Sequence, residues 1–369
     1  MSIWHDPLGR WEAMARPLRH TPRALAAGLL ALLAGLMAYS IAASLPDDAA
    51  SAETPAQAEE LEEGEGDIAL YRRISERVVA GENYYTAALA EQRASNYPTT
   101  PFVTVRQPTL AMAHRWIGAD VLGYILFAGL PIAIILLVKR LEATTRLPER
   151  IGAALAMLLG GIGLTIPQAP LIHEVVAGLC LTLAVLAYAP GRWWPALLFA
   201  ALALAVRELS APFVLLWLAF ALVQRRWKEA LAVGGVLLLF AAGMYLHALG
   251  VEAARLPGDP ASPGWNAFAG IMLPLSALAK LTAIPFVPAW LEPALLVLPL
   301  FGWLALGGRM GVFACLWFAG FLTAVALVAR PENFYWVQLT MPLYLAGIAL
   351  APRAIGDLLH AIRAKTPHE

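Results

Sequence analysis

Long stretches without a charged residue set the main constraint on how this chain can fold. Ten of them recur between residues 24 and 352, and most reach or approach the roughly 20 residues that a helix needs to cross a bilayer. In composition, 60% of the residues are hydrophobic and only 14% are charged, whereas soluble domains carry roughly 25% charged residues. A β-barrel would instead show alternating segments of about ten residues. The sequence therefore predicts an all-α, polytopic transmembrane helical protein with about ten spans.

The order of apolar and polar stretches predicts how the chain is organised. The first apolar run is too long for the apolar region of a cleaved signal peptide, so we expect an uncleaved first span. The residues after it are rich in Ala and Glu without apolar periodicity, which predicts a flexible linker. The predicted segments are a cytoplasmic arm (1–23), the first transmembrane helix (24–45), an acidic linker (46–66), an extracytoplasmic loop with interfacial helices (67–117), a multi-span domain (118–352) and a cytoplasmic tail (353–369).

The distribution of Lys and Arg predicts the orientation. With the N-terminus in the cytoplasm, the connections on that side hold 16 of the 26 Lys and Arg residues. The opposite orientation would place the basic segments near residues 139 and 225 outside, against the tendency of cytoplasmic loops to carry positive charge. Both termini are therefore predicted to be cytoplasmic. This arrangement requires residues 193–224 to form a hairpin of two short helices, because a single helix would reverse everything that follows.

Three short connections on the predicted outer side carry charged residues. Ionisable residues at membrane depth are costly and commonly mark functional sites. Because these connections reach the same side as the first loop, we expect a polar cavity that opens outward. The alternative is that each pair forms a structural salt bridge that locks helix ends. Two neighbouring residues on a helix point in different directions, so they are poorly placed to pair with each other. The pairs are His173 and Glu174, Arg207 and Glu208, and Arg330 and Glu332.

The first loop is predicted to be structured. An apolar stripe of Leu70, Ile74 and Val78 runs beside Asp67, a pattern typical of a helix that lies at a membrane interface. A second helix follows, and a proline-containing segment then holds Arg106 in an extended stretch. The first two spans are separated by residues 46–117, and a structured loop of this length is more often functional than a spacer.

Six motifs, in this order and on this side of the membrane, resemble those of the GT-C class of membrane glycosyltransferases. These enzymes take a sugar from a polyprenyl-phosphate lipid on the outer membrane face. The motifs are "GDIALY", "GENYY", "YPTTPFVTVRQP", "HEVVAGLCLTLAV", "RELSAPF" and "RPENFYW". Many members of the class carry a paired "DE" or "DD" where this chain has "DI", and a "PP" where it has "YPTTP". Acceptor class and metal use are therefore left open.

The resemblance implies a bacterial inner-membrane enzyme whose active site faces the periplasm. Its partners would be a polyprenyl-phosphate-linked sugar donor, a glycan, lipid or protein acceptor, and membrane lipids, with no nucleic acid. Asp67 is the predicted general base, because an acceptor hydroxyl must lose its proton as the new bond forms, and Glu174 and Glu208 are the alternatives. Such a single displacement inverts the anomeric carbon. No cofactor is assigned with certainty, no metal ligand is assigned, and a divalent metal is left open.

The remaining candidate residues follow from the chemistry of the donor and acceptor. Arginine binds phosphate oxygens through a planar fork and keeps its proton, so Arg106, Arg207 and Arg330 are predicted to bind the donor phosphate. Aromatic rings and polar groups could bind the sugar and acceptor, although Tyr and Trp also occur simply as interfacial belt residues. The candidates are Tyr71, Tyr84, Tyr85, Tyr97, His173, Glu332, Asn333 and Trp336.

Two other functions compete with the glycosyltransferase. A transporter or lipid flippase would use the same charges to move a headgroup, although such proteins usually contain internal repeats and helices broken near the bilayer midplane. Another envelope-glycan enzyme, such as an O-antigen polymerase or ligase, would share the location and the lipid-linked substrate. Both alternatives stay open at the level of sequence.

Overall fold

The computed structural model describes residues 7–45, 55–284 and 287–364. Its regular elements in these ranges are helices, 3-10 turns and one isolated bridge between Thr100 and Ala261. In chain order the α-helices are α1 (Pro7–Ala13), α2 (Arg23–Ser44), α3 (Pro55–Val79), α4 (Tyr84–Ala94), α5 (Thr109–Ile117), α6 (Ala119–Leu141), α7 (Leu147–Gly160), α8 (His173–Ala187), α9 (Trp194–Val206), α10 (Ala211–Val223), α11 (Trp227–Ala254), α12 (Met272–Leu281), α13 (Glu292–Leu295), α14 (Leu298–Leu306), α15 (Gly308–Val328), α16 (Leu343–Ala346) and α17 (Ala351–Arg363).

Five helical stretches of the described chain are long and apolar enough to cross a membrane. They are α2, α6, α11, α15 and the stretch Leu343–Arg363, which contains α16 and α17. Shorter apolar helices, among them α8, α9, α10 and α12, pack with them. The chain is thus an all-α, multi-pass membrane protein with five long candidate spans among the described residues, and the number of about ten spans stays a prediction.

Two of the predicted spans are interrupted. The run 151–172 is helical only to Gly160 and continues as separate 3-10 turns, and the run 333–352 begins as the 3-10 helix Pro331–Thr340. Irregular backbone at membrane depth is tolerated only where protein or water covers it. Residues 336–347 are buried throughout, so neighbouring helices cover this segment.

Two glycines allow helices to press directly onto this interrupted segment. A Cβ on Gly178 of α8 would overlap the carbonyl oxygen of Gln338, and one on Gly302 of α14 would overlap that of Gly347. Only hydrogen fits at these two positions. The segment that carries the predicted site residues 332–336 is therefore held against α8, which carries His173 and Glu174.

The first loop folds around a small core of its own. Leu70, Ile74 and Val78 are buried against α4 and α5, and Val251 of α11 closes the core. The interpretation of this apolar stripe as a membrane-facing surface was therefore wrong, because other parts of the protein supply its apolar partners. The loop sits on the bundle through α11 and the start of α6.

The acidic linker is shorter than predicted. Helix α3 begins at Pro55, so the second half of the linker is helical rather than flexible. Residues 46–54 lie outside the described ranges.

The predicted hairpin of residues 193–224 is confirmed, because α9 ends at Val206 and α10 begins at Ala211.

The connections between helices gather at two opposite ends of the bundle. The first loop meets residues 168–174, 207–212 and 329–336 at one end, which we call the outer end. The N-terminal arm meets α11, α15 and α17 at the other, which we call the inner end. This grouping matches the one expected from the Lys and Arg distribution, whereas the assignment of the two ends to cytoplasm and periplasm stays a prediction.

Salt bridges fix the inner end. Arg16 of the N-terminal arm donates two hydrogen bonds to Asp357 of α17, at 3.0 and 2.5 Å. Arg353 of α17 does the same to Glu149 of α7, at 2.8 and 2.6 Å. The predicted tail is therefore packed helix as far as Arg363.

Candidate active site at the outer end

Glu174 lies at the centre of a buried charged cluster. It sits in the first turn of α8, where the helix dipole favours a negative charge. Its Oε1 lies 2.6 Å from Nε of Arg207 and 3.7 Å from Nη2 of Arg106. The three side chains are only 3%, 1% and 12% exposed, respectively. Two guanidinium groups favour the ionised carboxylate, so Glu174 is suited to fix the arginines rather than to accept a proton.

Arg207 is enclosed by acidic and aromatic neighbours. Its backbone is extended (φ −146°, ψ 115°) rather than helical, and its Nη1 contacts Oε1 of Glu208. The expectation that these neighbours point apart was therefore wrong, because it assumed a helical Arg207. The guanidinium also lies 5.9 Å from the ring centre of Trp336. A donor phosphate would have to displace Glu174 or Glu208 to reach it.

Arg106 is held by neutral groups. It donates from Nε to the hydroxyl of Tyr71 at 3.0 Å and from Nη2 to that of Tyr335 at 3.1 Å. Its hydrogen bonds to described residues use only these two nitrogens, so Nη1 can donate to a ligand. Of the three predicted phosphate-binding arginines, Arg106 is thus the buried one best placed to bind an anion.

Asp67 adds a second carboxylate to the cluster from the side of α3. It is half-buried, and burial raises the pKa of its carboxyl, opposed by a hydrogen bond from Tyr97 and by the charge of Arg106. The negative charge of Glu174 raises this pKa further. Tyr97 is therefore the tyrosine that hydrogen-bonds to Asp67. A carboxylate with a raised pKa is better matched to proton transfer near neutral pH.

Two buried polar atoms beside the arginines have no hydrogen-bond partner among the described residues. They are Nδ1 of His173 and Nε1 of Trp336. The His173 ring packs edge-on against Tyr71, with ring centres 5.1 Å apart. Buried polar groups are nearly always paired, so unpaired ones indicate water or a ligand. We call Asp67, Arg106, Glu174, Arg207, Glu208 and Tyr335, with these two unpaired groups, the outer cluster.

Two of the predicted sugar-binding tyrosines support the loop instead. Tyr84 is buried and its hydroxyl donates to the carbonyl of Arg106 at 2.5 Å. Tyr85 packs on His247 of α11, with ring centres 5.6 Å apart. Both contacts hold the extended stretch around Arg106 against α4 and α11.

Three predicted residues of the last connection contact one another. Arg330 pairs with Glu332 at 3.0 Å, and the Glu332 side chain is 52% exposed. Asn333 is buried and its side chain accepts from the backbone N–H of Arg330 at 3.4 Å. Nε of Arg330 forms this ion pair but makes no hydrogen bond with a described residue.

Sequence reasoning missed several residues that join the loop to the bundle. Tyr335 binds Arg106, and Nε2 of Gln107 donates to the carbonyl of Leu204 at 3.0 Å. Ser75 and Nδ1 of His114 lie 2.5 Å apart, and Nε2 of His114 lies 3.0 Å from the carbonyl of Pro170. Buried polar residues within apolar segments were the available signal, but their partners are distant in sequence.

A cavity of about 20 Å³ adjoins Tyr71, Arg106 and His173, which is room for about one water molecule. Residues of the first loop form most of its wall, and Leu171 and His173 line it from the side of the bundle. A sugar ring does not fit into this cavity.

Within the described ranges, no group of three or more His, Cys, Asp or Glu side chains has an arrangement that could hold a metal ion. In comparisons with family models, with curated proteins and with solved structures, no match to this chain was found. The activity must therefore be inferred from the chemistry of the outer cluster.

Proposed function

We propose that this protein is a membrane glycosyltransferase that moves a sugar from a polyprenyl-phosphate donor to an acceptor on the outer face of the membrane. One observation carries the proposal: a half-buried carboxylate with a raised pKa, Asp67, lies near a buried arginine with a free donor, Arg106. The pair supplies a proton acceptor and a phosphate-binding cation at one end of a multi-pass bundle. A lipid-linked donor would reach this end from the bilayer.

In the proposed step, Asp67 accepts the proton of the acceptor hydroxyl while that oxygen bonds to the anomeric carbon. The bond between this carbon and the phosphate oxygen breaks, and the lipid phosphate leaves with the bonding electrons. Negative charge grows on the leaving phosphate, where a guanidinium stabilises it. Because the acceptor enters opposite the leaving group, the configuration inverts.

The other residues of the outer cluster would position these two. Tyr97 orients Asp67, and Tyr71 and Tyr335 orient Arg106. Arg207 would hold Glu174 ionised behind Arg106, rather than contact the donor itself. We assign the outer end to the periplasm of a bacterial inner membrane, with both termini cytoplasmic.

Substitution of Asp67 tests the proposal. Asp67→Asn keeps the shape and removes the proton acceptor, so sugar transfer from a polyprenyl-phosphate donor by purified protein should fall by about 10²–10⁴-fold. Glu76→Gln is the matched control, because Glu76 lies on the same helix but is exposed. It should transfer at the wild-type rate.

Two results would contradict the proposal. Near wild-type transfer by Asp67→Asn would remove Asp67 as the base and leave Glu208, which is 19% exposed, as the next carboxylate to test. Movement of an intact lipid-linked headgroup across proteoliposomes, without transfer of sugar, would favour the transporter instead.

A further inference from the structure

A second cavity opens at the inner end of the bundle. Its volume is about 340 Å³, at the lower end of the roughly 300–1,000 Å³ that small-molecule sites occupy. Arg140 and Thr144 lie at its exposed rim. Its interior is buried and apolar, and is lined by Val185, Phe213, Trp217 and Phe313.

The cavity is deep. Phe213 lies ten residues before the inner end of α10 at Val223, which places it roughly 15 Å from that end at 1.5 Å per residue. An extended acyl chain can lie along such a depth, and the apolar lining suits it better than a sugar, whose hydroxyl groups need polar partners.

The charges around the cavity leave one cation without a carboxylate. Arg309 and Arg226 are balanced by Glu229 and Glu12, at distances of 3.3 to 3.6 Å. Arg140, in contrast, makes no ion pair with a described residue. It donates from Nε and Nη2 to the carbonyls of Leu186 and Tyr188, at 2.8 and 2.6 Å. The mouth of the cavity therefore carries a net positive charge.

The depth of Arg140 matches a lipid headgroup. It lies in the last turn of α6, a helix long enough to cross a membrane, where basic side chains extend to the headgroup region. The apolar interior of the cavity then lies at the depth of acyl chains.

We propose that this cavity binds one acyl chain of an anionic membrane lipid, with the lipid phosphate on Arg140. Guanidinium and phosphate form charge-assisted hydrogen bonds, and Nη1 of Arg140 is the nitrogen left to donate. The second chain of the lipid stays in the bilayer. This site is independent of the proposed transfer reaction, which takes place at the opposite end.

Photo-labelling in nanodiscs tests the site. The full chain is reconstituted in phosphatidylcholine with a minor fraction of phosphatidic acid that carries a diazirine near the end of one acyl chain. After irradiation, mass spectrometry should find labels on the peptides that contain Phe213, Trp217 or Phe313. Arg140→Gln should reduce these labels about tenfold, the loss expected for a hydrogen bond to a charged group. Lys139→Gln removes the same charge from the adjacent exposed position, which does not line the cavity, and should keep them.

A filled cavity provides the second test. Ala184→Phe puts a ring into the apolar interior and should abolish the labels while thermal unfolding stays close to that of the wild type. The site is refuted if no interior peptide is labelled, if photoreactive phosphatidylcholine labels it as strongly, or if Lys139→Gln loses as much label as Arg140→Gln. Labelling requires no catalysis, so such a failure would leave the proposed transferase activity untouched.

Discussion

The two ends of the bundle each bury a glutamate among arginines, yet the two sites differ in the balance of their charges. At the inner end, Glu229 accepts from Nε1 of Trp217 at 2.5 Å, from the hydroxyl of Tyr188 at 3.3 Å and from Arg309 at 3.3 Å. We call these residues, with Glu12 and Arg226, the inner network. Its two carboxylates face two guanidinium groups, and it ties the N-terminal arm to α11 and α15.

The outer cluster is built from the same residue types but its charges are not balanced. Three carboxylates face two guanidinium groups there, and burial raises the pKa of one of them, Asp67. Unpaired buried atoms do not separate the two ends, because Oε1 of Glu12 at the inner end lacks a hydrogen-bond partner among the described residues, as Nδ1 of His173 and Nε1 of Trp336 do at the outer end. The excess carboxylate separates them better, because a network that only stabilises the fold gains nothing from an additional buried negative charge.

The largest effect should come from breaking the pair at the centre of the outer cluster. Arg207→Ala leaves Glu174 buried with only Arg106, at 3.7 Å, so unfolding should cost roughly 3–5 kcal/mol less than in the wild type. Thermal unfolding in detergent measures the loss. Arg255→Ala is the control, because its pair with Glu252 is exposed on both sides and should contribute only about 0–1 kcal/mol. Equal losses in the two variants would mean that Arg207 is not held as the distances imply.

A smaller effect on stability, without an effect on specific activity, is expected at the inner network. Glu229→Gln keeps the acceptor for Trp217 but removes the charge between Arg226 and Arg309, so stability should fall by roughly 1.5–3 kcal/mol. The rate of sugar transfer per folded molecule should not change. A lower rate in fully folded protein would show that the inner network contributes to sugar transfer, which contradicts the distinction between a structural inner end and a functional outer end.

The elements that the sequence predicted well are those that depend on local pattern. Uninterrupted apolar runs identified α2, α6 and α15, and the turn between α9 and α10 followed from charge placement. That the three charged connections gather at one end of the bundle was predictable for the same reason, whereas the side of the membrane stays a prediction. The apolar stripe of α3 was misread, because a stripe shows that a partner exists and not whether that partner is lipid or protein.

Contacts that depend on the path of the backbone could not be predicted. Tyr97 hydrogen-bonds to Asp67 although Tyr97 follows α4 and Asp67 lies on α3. Arg207 reaches Glu208 because its backbone leaves the helix at that residue. The composition of the outer cluster was thus largely predictable, whereas the role of each member depends on backbone geometry that a motif does not encode.

The smallest effect concerns Asp67 itself and distinguishes a catalytic carboxylate from a structural one. Burial raises the folded-state pKa of Asp67 above its value in the unfolded chain, so the stability it contributes is present at low pH and is lost as pH rises through the folded-state pKa. Asp67→Asn stays neutral at every pH, so it should match the wild type in acid and be slightly more stable at neutral pH. A gain of about 1 kcal/mol would raise Tm by roughly 2–4 °C.

Thermal unfolding of both proteins across pH measures this difference, with Glu76→Gln as the exposed control that should follow the wild type throughout. A lower Tm for Asp67→Asn at neutral pH would show that the ionised carboxylate stabilises the fold, as the salt bridge of Glu174 with Arg207 does. Asp67 would then belong with the structural ion pairs, and the excess carboxylate at the outer end would have a structural role. A stable but inactive Asp67→Asn is the pattern expected of a base, because only a group kept for its chemistry is retained at a cost to the fold.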